Sequence, residues 1–213
     1  MINAEATRRL ALLSSRIDAH LIYVSTDYVF DGEKGLYKEY DVANPINYYG
    51  YTKLAGERFV RRDSKRWTIA RTSVIYGWGG TKQNFATWLI KNLSLSKEVK
   101  VVTDQYVSPT LNVNLAGMLI EIAERGLIGI YHTAGAERVS RYDFAIELAE
   151  VFGLKKELIK KTTMAKIAWR AKRPKDSSLD ITKAMTKLKE YKPMNLRQSL
   201  EVMSRLSSTK LIS

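Results

Sequence analysis

The sequence contains no cysteine, and its only two histidines, His20 and His132, stand far apart in 213 residues. Disulfides, cysteine nucleophiles and thiolate metal sites are therefore excluded, and a transition-metal site has little support, so no metal is expected. No apolar run approaches the roughly 20 residues that span a bilayer. The opening stretch, MINAEATRRLALLSSRIDAH, carries Glu5 and Arg16 and reads as an amphipathic helix rather than a secretory apolar segment. A cytoplasmic protein without membrane association is the expectation. Acidic residues are also in deficit, with 22 Asp and Glu against 35 Lys and Arg, a formal net charge of +13. Such a balance attracts polyanions. Yet zinc-finger spacing, RNP-like segments and glycine–arginine repeats are all missing. A nucleic-acid partner therefore rests on charge alone, and solvated lysine faces with a small phosphorylated substrate are the preferred reading.

A hydrophobic content of 45% and a charged content of 27% are those of a globular chain, long enough for one domain or one domain with a small lobe. Helical and apolar β-rich patterns alternate. Helices are expected over 3–16, 48–62, 84–95, 111–124 and from a Ser140 cap to about 152, with two more near 180–189 and 195–205. Strands are expected at 20–25 (buried and parallel), 67–73, 98–104, 126–135 and 157–162. This alternation predicts an α/β fold with a doubly wound, Rossmann-like, mostly parallel sheet. Residues 1–135 would form that domain, with 77–97 contributing to a small C-terminal α/β substrate lobe made mainly of 136–213. In such sheets ligands bind beyond the carboxyl ends of the strands, so function is expected just after Ser25, Ser73, Asp104 and Gly135.

The loop after the first strand, STDYVFDG (25–32), places two hydroxyls and a carboxylate at a strand end. Further on, Tyr49 and Lys53 stand four apart and share one helical face. A ketone reductase needs a proton donor for the carbonyl oxygen. Tyrosine, with an ordinary pKa of about 10, serves when its phenolate is stabilised, and a lysine one turn away supplies that field. A nearby Ser or Thr hydroxyl can orient the carbonyl. The Tyr-Lys spacing alone is a weak signal, because chance supplies such a pair in this composition. An ordinary helix start with a surface lysine, with Tyr48 and Tyr51 as packing aromatics, reads the residues equally well. The conjunction with Ser25, Thr26 and Asp27 favours chemistry. His132, at a strand end, reads as a structural histidine, and the Trp78 loop as either a cover for substrate or a packed aromatic.

STDYVFDG, NPINYYGYTKLAGE (44–57) and ARTSVIYG (70–77) together resemble the extended short-chain dehydrogenase/reductase superfamily. More narrowly, they resemble its dTDP-4-dehydrorhamnose reductase family. DQYVSPT (104–110), GIYHTAG (129–135), SRYDFA (140–145) and RPKDSSLD (173–180) follow in the family's order, so the likeness spans nearly the whole chain. The resemblance implies NAD(P)H-dependent reduction of the 4-keto group of a nucleotide-linked deoxysugar. Thr26, Tyr49 and Lys53 would be catalytic, and Ser25, Tyr49, Lys53 and Ser73 would contact NADPH or NADH. Thr26, Asp27, Gln105, Pro109, Thr110 and Arg173 would contact the nucleotide-diphosphate sugar, Arg173 at its diphosphate. Three positions depart from the family's pattern. Val107 stands where glycine is expected and would reshape the sugar pocket. Arg141 stands where an aromatic is usual. Asp176 replaces the usual asparagine, an added carboxylate that Arg173 or Lys175 would have to offset. The alternative is a non-catalytic nucleotide-sugar-binding or regulatory subunit, like the regulatory subunit of methionine adenosyltransferase in the same family.

What the sequence lacks matters once more here. No GxxGxxG or GxGxxG turn precedes Thr26, so the cradle for the cofactor's pyrophosphate is expected to be absent from this chain. The sheet is expected to be N-terminally incomplete by roughly 70–80 residues, at about 30 per βαβ unit, with an open edge. A shortened product, a sheet completed by another copy or a partner chain, and a binding-only remnant are the three readings of that gap.

Overall fold

The computed structural model describes residues 2–209. Helix α1 (Ile2–Arg16) leads into β1 (His20–Thr26), a short 3-10 turn over Asp27–Val29, and a long loop to α2 (Tyr48–Asp63). Strands β2 (Arg66–Thr72) and β3 (Ile75–Tyr76) precede α3 (Phe85–Ser94). Next come β4 (Val99–Val102), β5 (Tyr106–Val107), β6 (Thr110–Leu111), α4 (Asn112–Glu124) and β7 (Gly129–His132). Then β8 (Val139–Ser140), α5 (Arg141–Val151), β9 (Ile159–Thr162), α6 (Thr182–Lys187) and α7 (Leu196–Thr209) complete the chain. Helix starts follow side-chain chemistry. The Asn47 side-chain Oδ1 accepts from the Gly50 amide, Asn84 and Thr87 form a reciprocal capping box, and the Ser140 hydroxyl accepts from the Asp143 amide.

The main sheet has strand order β1-β2-β7 and is parallel throughout, with Tyr23 opposite Ile69 and Ile69 opposite Ile130. Parallel neighbours need crossovers, and α2 supplies the one between β1 and β2. The expected buried first strand is only half-buried. Ser25 and Thr26 at its end are inside, while Val24 is 36% exposed. Among the described residues β1 pairs on one side only, which leaves its other edge uncovered. The 98–104 strand is shorter than expected and joins β9 in a separate parallel pair, with Val99 opposite Ile159. No helix among the described residues is long and apolar enough to cross a membrane.

Three buried clusters hold these layers. The largest gathers Tyr76 with Leu89 and Leu93 of α3, Phe144 and Leu148 of α5, and Leu200 and Met203 of α7. A second packs Val29, Phe30, Tyr37 and Leu179 beneath the loop after β1, and a third joins Met118 and Ile122 of α4 to Tyr131, Ala184 and Leu188. The chain after Arg173 therefore returns to the loop after β1 through Leu179 and to the main sheet through Ala184 and Leu188. One buried carboxylate secures that return. Glu121 accepts backbone N–H bonds from Lys189 (2.6 Å), Glu190 (3.1 Å) and Tyr191 (2.9 Å), and pairs with Arg125. Although burial alone raises a carboxyl's pKa, these donors outweigh it and hold Glu121 down at about 2. A depressed pKa contributes stability that is present above the ordinary glutamate range and lost as pH falls towards about 2. Urea unfolding should therefore find Glu121→Gln less stable than the parent at neutral pH, with the gap closing towards pH 2. A gap that does not change with pH would show that Glu121 is not acting as a carboxylate.

Candidate active site

The carboxyl ends of β1 and β2 converge on one buried carboxylate. Asp27 opens the 3-10 turn that Thr26 caps, and its Oδ2 accepts from Ser73 Oγ at 2.8 Å and Ser177 Oγ at 2.5 Å. Its Oδ1 accepts from Thr26 Oγ1 at 3.0 Å. Burial pushes the Asp27 carboxyl up, against the pull of those three hydroxyls and the positive charge of Arg141. Asp27 thus fixes the rotamer of Thr26 and ties the 173–180 segment to the sheet.

Helix α2 is brought against this turn by Gly50. A Cβ at that position would lie 2.0 Å from the Tyr28 carbonyl oxygen and 2.9 Å from Pro45 Cβ, so only glycine allows the approach. The approach seats Tyr49 beside Tyr28, ring centroids 6.1 Å apart and edge-on, with its phenol in hydrogen-bonding reach of the Thr26 hydroxyl. Burial raises the Tyr49 pKa, and the Asp27 carboxylate adds to that, while Thr26 opposes it. The field expected from Lys53 is directed elsewhere. Lys53 Nζ donates to the Val24 carbonyl at 2.7 Å and lies 4.1 Å from the Tyr23 ring centroid. Burial lowers its own pKa, with Glu57 acting the other way. Tyr49 is in consequence a neutral, proton-loaded phenol across the physiological range.

Tyr49, Thr26 and Val74 form a wall shared by two cavities. One, of about 300 Å³, is lined by Ser25, Lys53, Thr72 and Ile75 as well, and the other, of about 180 Å³, by Asp27, Tyr28 and Arg141. Arg141 also borders a third, of about 360 Å³, walled by Phe85, Trp88, Gln105, Ile167, Trp169 and Arg173. In that third cavity Phe85 and Trp88 stack with centroids 5.9 Å apart, and the Arg173 guanidinium lies 4.0 Å from the Trp169 ring centroid. Trp169 Nε1 is buried without a partner among the described residues. Val74 holds φ of 42°, a conformation unfavourable for a β-branched residue, at the hinge of all this.

The sequence-predicted residues divide accordingly. Thr26, Asp27, Tyr49 and Lys53 come together, and Gln105 and Arg173 line the aromatic cavity. Ser25 reaches the first cavity, but its hydroxyl donates to Glu57 Oε1 at 2.6 Å. Ser73 is drawn into the Asp27 network instead of facing a cavity. Thr110 is fully buried, donating to the Ser73 carbonyl at 2.7 Å, and Pro109 is buried beside it. Val107 is buried in β5 and lines none of these cavities. Asp176 is offset by Arg138, at 2.7 Å, rather than by Arg173 or Lys175. Trp78 packs, donating to the Met203 carbonyl at 2.7 Å. His132 bonds the Asp180 carbonyl at 3.0 Å, and burial holds its pKa down at about 3. Tyr48 and Tyr51 are exposed rather than packed. Among the described residues no group of three or more potential metal ligands occurs. The reading of the sequence missed Tyr28, Val74, Trp88 and Trp169, and took Arg141 only as a departure from pattern. None of the five carries a local signal, since each joins the site by tertiary packing.

The dTDP-4-dehydrorhamnose reductase of Aggregatibacter actinomycetemcomitans is 37% identical over 194 residues, covering 85% of this chain and 65% of that protein. Methionine adenosyltransferase 2 subunit beta of Bos taurus is 31% identical over 192 residues, covering 87% of this chain and 57% of that protein. Among solved structures, a dTDP-4-dehydrorhamnose reductase of Bacillus anthracis in complex with NADP superposes with a TM-score of 0.88 at 32% identity. That match covers 94% of this chain and 70% of the other. The chain spans 57% to 65% of the length of the first curated relatives it matches. The family model described as the RmlD substrate binding domain matches residues 1–207, and the chain belongs to that family.

Proposed function

We propose that the chain carries the proton-donating and sugar-nucleotide-binding machinery of an NAD(P)H-dependent ketoreductase of the dTDP-4-dehydrorhamnose reductase type, acting in the cytoplasm. The observation that carries this reading is the position of the Tyr49 phenol on the wall between two cavities. One cavity runs towards Lys53, the other towards Arg141 and the aromatic cavity beyond. The first has donors that suit the nicotinamide–ribose end of the cofactor, namely the Lys53 ammonium and the Tyr49 hydroxyl, while the Thr72 hydroxyl donates to Thr110 at 3.1 Å. When bound there, the cofactor supplies hydride to the carbonyl carbon. Tyr49 holds the proton that the developing alkoxide needs, kept on the phenol by burial. Thr26 donates to Asp27 in this arrangement, and turning that hydroxyl towards the second cavity lets it share the oxyanion. Trp88, Phe85 and Trp169 offer ring faces for a nucleobase, and Trp169 Nε1 a free donor for a base carbonyl. Arg173 suits phosphate oxygens.

In this reading residues 1–135 form the sheet domain, and 77–97 with most of 136–213 the substrate lobe, although Thr182–Lys187 packs back on the sheet through Ala184. The likeness to methionine adenosyltransferase 2 subunit beta supports a second reading, a non-catalytic subunit that binds the same class of ligand. One experiment separates them. The chain is titrated with dTDP and assayed for NADPH- and NADH-dependent reduction of dTDP-4-dehydro-L-rhamnose. Binding of dTDP is the expected result, and reduction is expected only when the pyrophosphate cradle that the residues before Thr26 lack is supplied by another segment or chain. Reduction excludes the regulatory reading, binding without reduction even with that cradle supplied selects it, and absence of both overturns the assignment.

A further inference from the structure

Arg141 is the first residue of α5, directly after its Ser140 cap, and its side chain enters the site from the substrate lobe. Among the described residues its guanidinium has no ion pair and no side-chain hydrogen bond. Its contact is the face of Phe85, 4.9 Å from the ring centroid. The same side chain borders the small cavity at Tyr49 and the aromatic cavity at Trp169, so it stands where the two meet. Arg173 borders the aromatic cavity as well. Burial disfavours the Arg141 charge, Tyr28 and Asp27 favour it, and Arg173 opposes it. Asp27 supplies charge but no hydrogen bond to Arg141, its oxygens accepting from Thr26, Ser73 and Ser177 instead. Two guanidinium groups lining one cavity, with Arg141 half-buried and without a hydrogen-bonded anion, leave N–H donors open to an anionic ligand. Each offers a planar fork that matches phosphate oxygens.

We propose that Arg141 and Arg173 form a two-sided clamp for the diphosphate of the substrate, with Arg141 gripping the phosphate that enters the sugar cavity. This rests on the sugar-nucleotide reading and sharpens it. The clamp selects nucleoside diphosphates over monophosphates, because the second phosphate is the group that reaches Arg141. It also accounts for an arginine at a position where the family pattern has an aromatic.

Calorimetric titration of the full chain with dTDP and dTMP tests this, in the parent and in Arg141→Met, Arg141→Lys and Arg173→Met. The parent should bind dTDP more tightly than dTMP. Arg141→Met should weaken dTDP by about tenfold to a hundredfold, the range for loss of charge-assisted hydrogen bonds, and leave dTMP within about threefold. Arg141→Lys should recover part of the loss, and Arg173→Met should weaken both ligands. If Arg141 serves only to balance Asp27, Arg141→Met will lower the melting temperature while the dTDP-to-dTMP preference stays intact. That result overturns the clamp and leaves the reductase reading standing. Should Arg141→Met fail to fold, Arg141→Lys with an unchanged preference overturns it equally. A parent chain that binds neither nucleotide overturns the clamp and the sugar-nucleotide reading together.

Discussion

Tyr49→Phe should lower the turnover of keto-sugar reduction by about 10²- to 10⁴-fold, the span attributable to a positioned general acid. Cofactor and dTDP affinity should be nearly unchanged. The substitution removes one oxygen and keeps the ring, so the edge-on contact with Tyr28 and the Gly50 approach survive. What is lost is the proton held at the wall between the cavities. The pH profile adds a second readout. Because burial raises the Tyr49 pKa, the donor stays loaded throughout the physiological range. The parent's rate should therefore show no alkaline loss from this group until above the ordinary tyrosine value of about 10. Unchanged turnover in Tyr49→Phe would remove Tyr49 from the chemistry. An alkaline limb well below the ordinary range would show that Lys53 lowers the phenol's pKa once ligands are bound, as the sequence alone suggested.

That last contrast shows where sequence reading reached and where it stopped. The Tyr49–Lys53 spacing places both residues on one face of α2, and the STDYVFDG stretch places Thr26 and Asp27 at a strand end. Both are local patterns, and the fold delivers them to one point. The direction of the Lys53 ammonium is not local. It depends on the Val24 carbonyl and the Tyr23 ring, on a strand 29 residues earlier for the carbonyl. Ser73 and Thr110 lie in motifs that read as ligand contacts, yet their hydroxyls are consumed by Asp27 and by the Ser73 carbonyl. Motif order cannot distinguish a hydroxyl that faces a ligand from one that holds the wall behind it. The aromatic cavity was the least legible part, because Trp88, Trp169 and Arg141 come from three separate segments. Their meeting depends on β4 pairing with β9 and on the 160–180 chain folding back, contacts with no periodic signature. The half-buried β1 follows the same logic. Its composition reads as interior, and its exposure is decided by what pairs with its outer edge.

Glu57→Ala should destabilise the fold by about 3–5 kcal/mol, as expected when one partner of a buried ion pair is removed. At roughly 2–4 °C per kcal/mol for a chain of this size, the melting temperature should fall by about 6–20 °C. Glu57 on α2 and Arg71 on β2 are 3% and 4% exposed at their side chains. They pair through two bonds, Nε to Oε1 at 3.0 Å and Nη2 to Oε2 at 2.7 Å. Ser25 donates to the same carboxylate at 2.6 Å, so the pair also anchors the end of β1 next to Thr26. The Arg71 guanidinium lies 5.1 Å from the Phe30 ring centroid and donates to the Glu39 carbonyl at 3.4 Å. Removing Glu57 leaves that cation buried with one weak acceptor and leaves Ser25 without its acceptor. Removing Arg71 as well eliminates the unpaired charge, so Glu57→Met/Arg71→Met should be more stable than Glu57→Ala and far from the sum of the single losses. Urea unfolding of Glu57→Met, Arg71→Met, the double variant and the parent closes the cycle. Additive losses within about 0.5 kcal/mol would mean that the two groups are not coupled. Coupling with a restored melting temperature but reduced turnover would show that the pair's main work is to hold β1, and with it Thr26, in place for Tyr49.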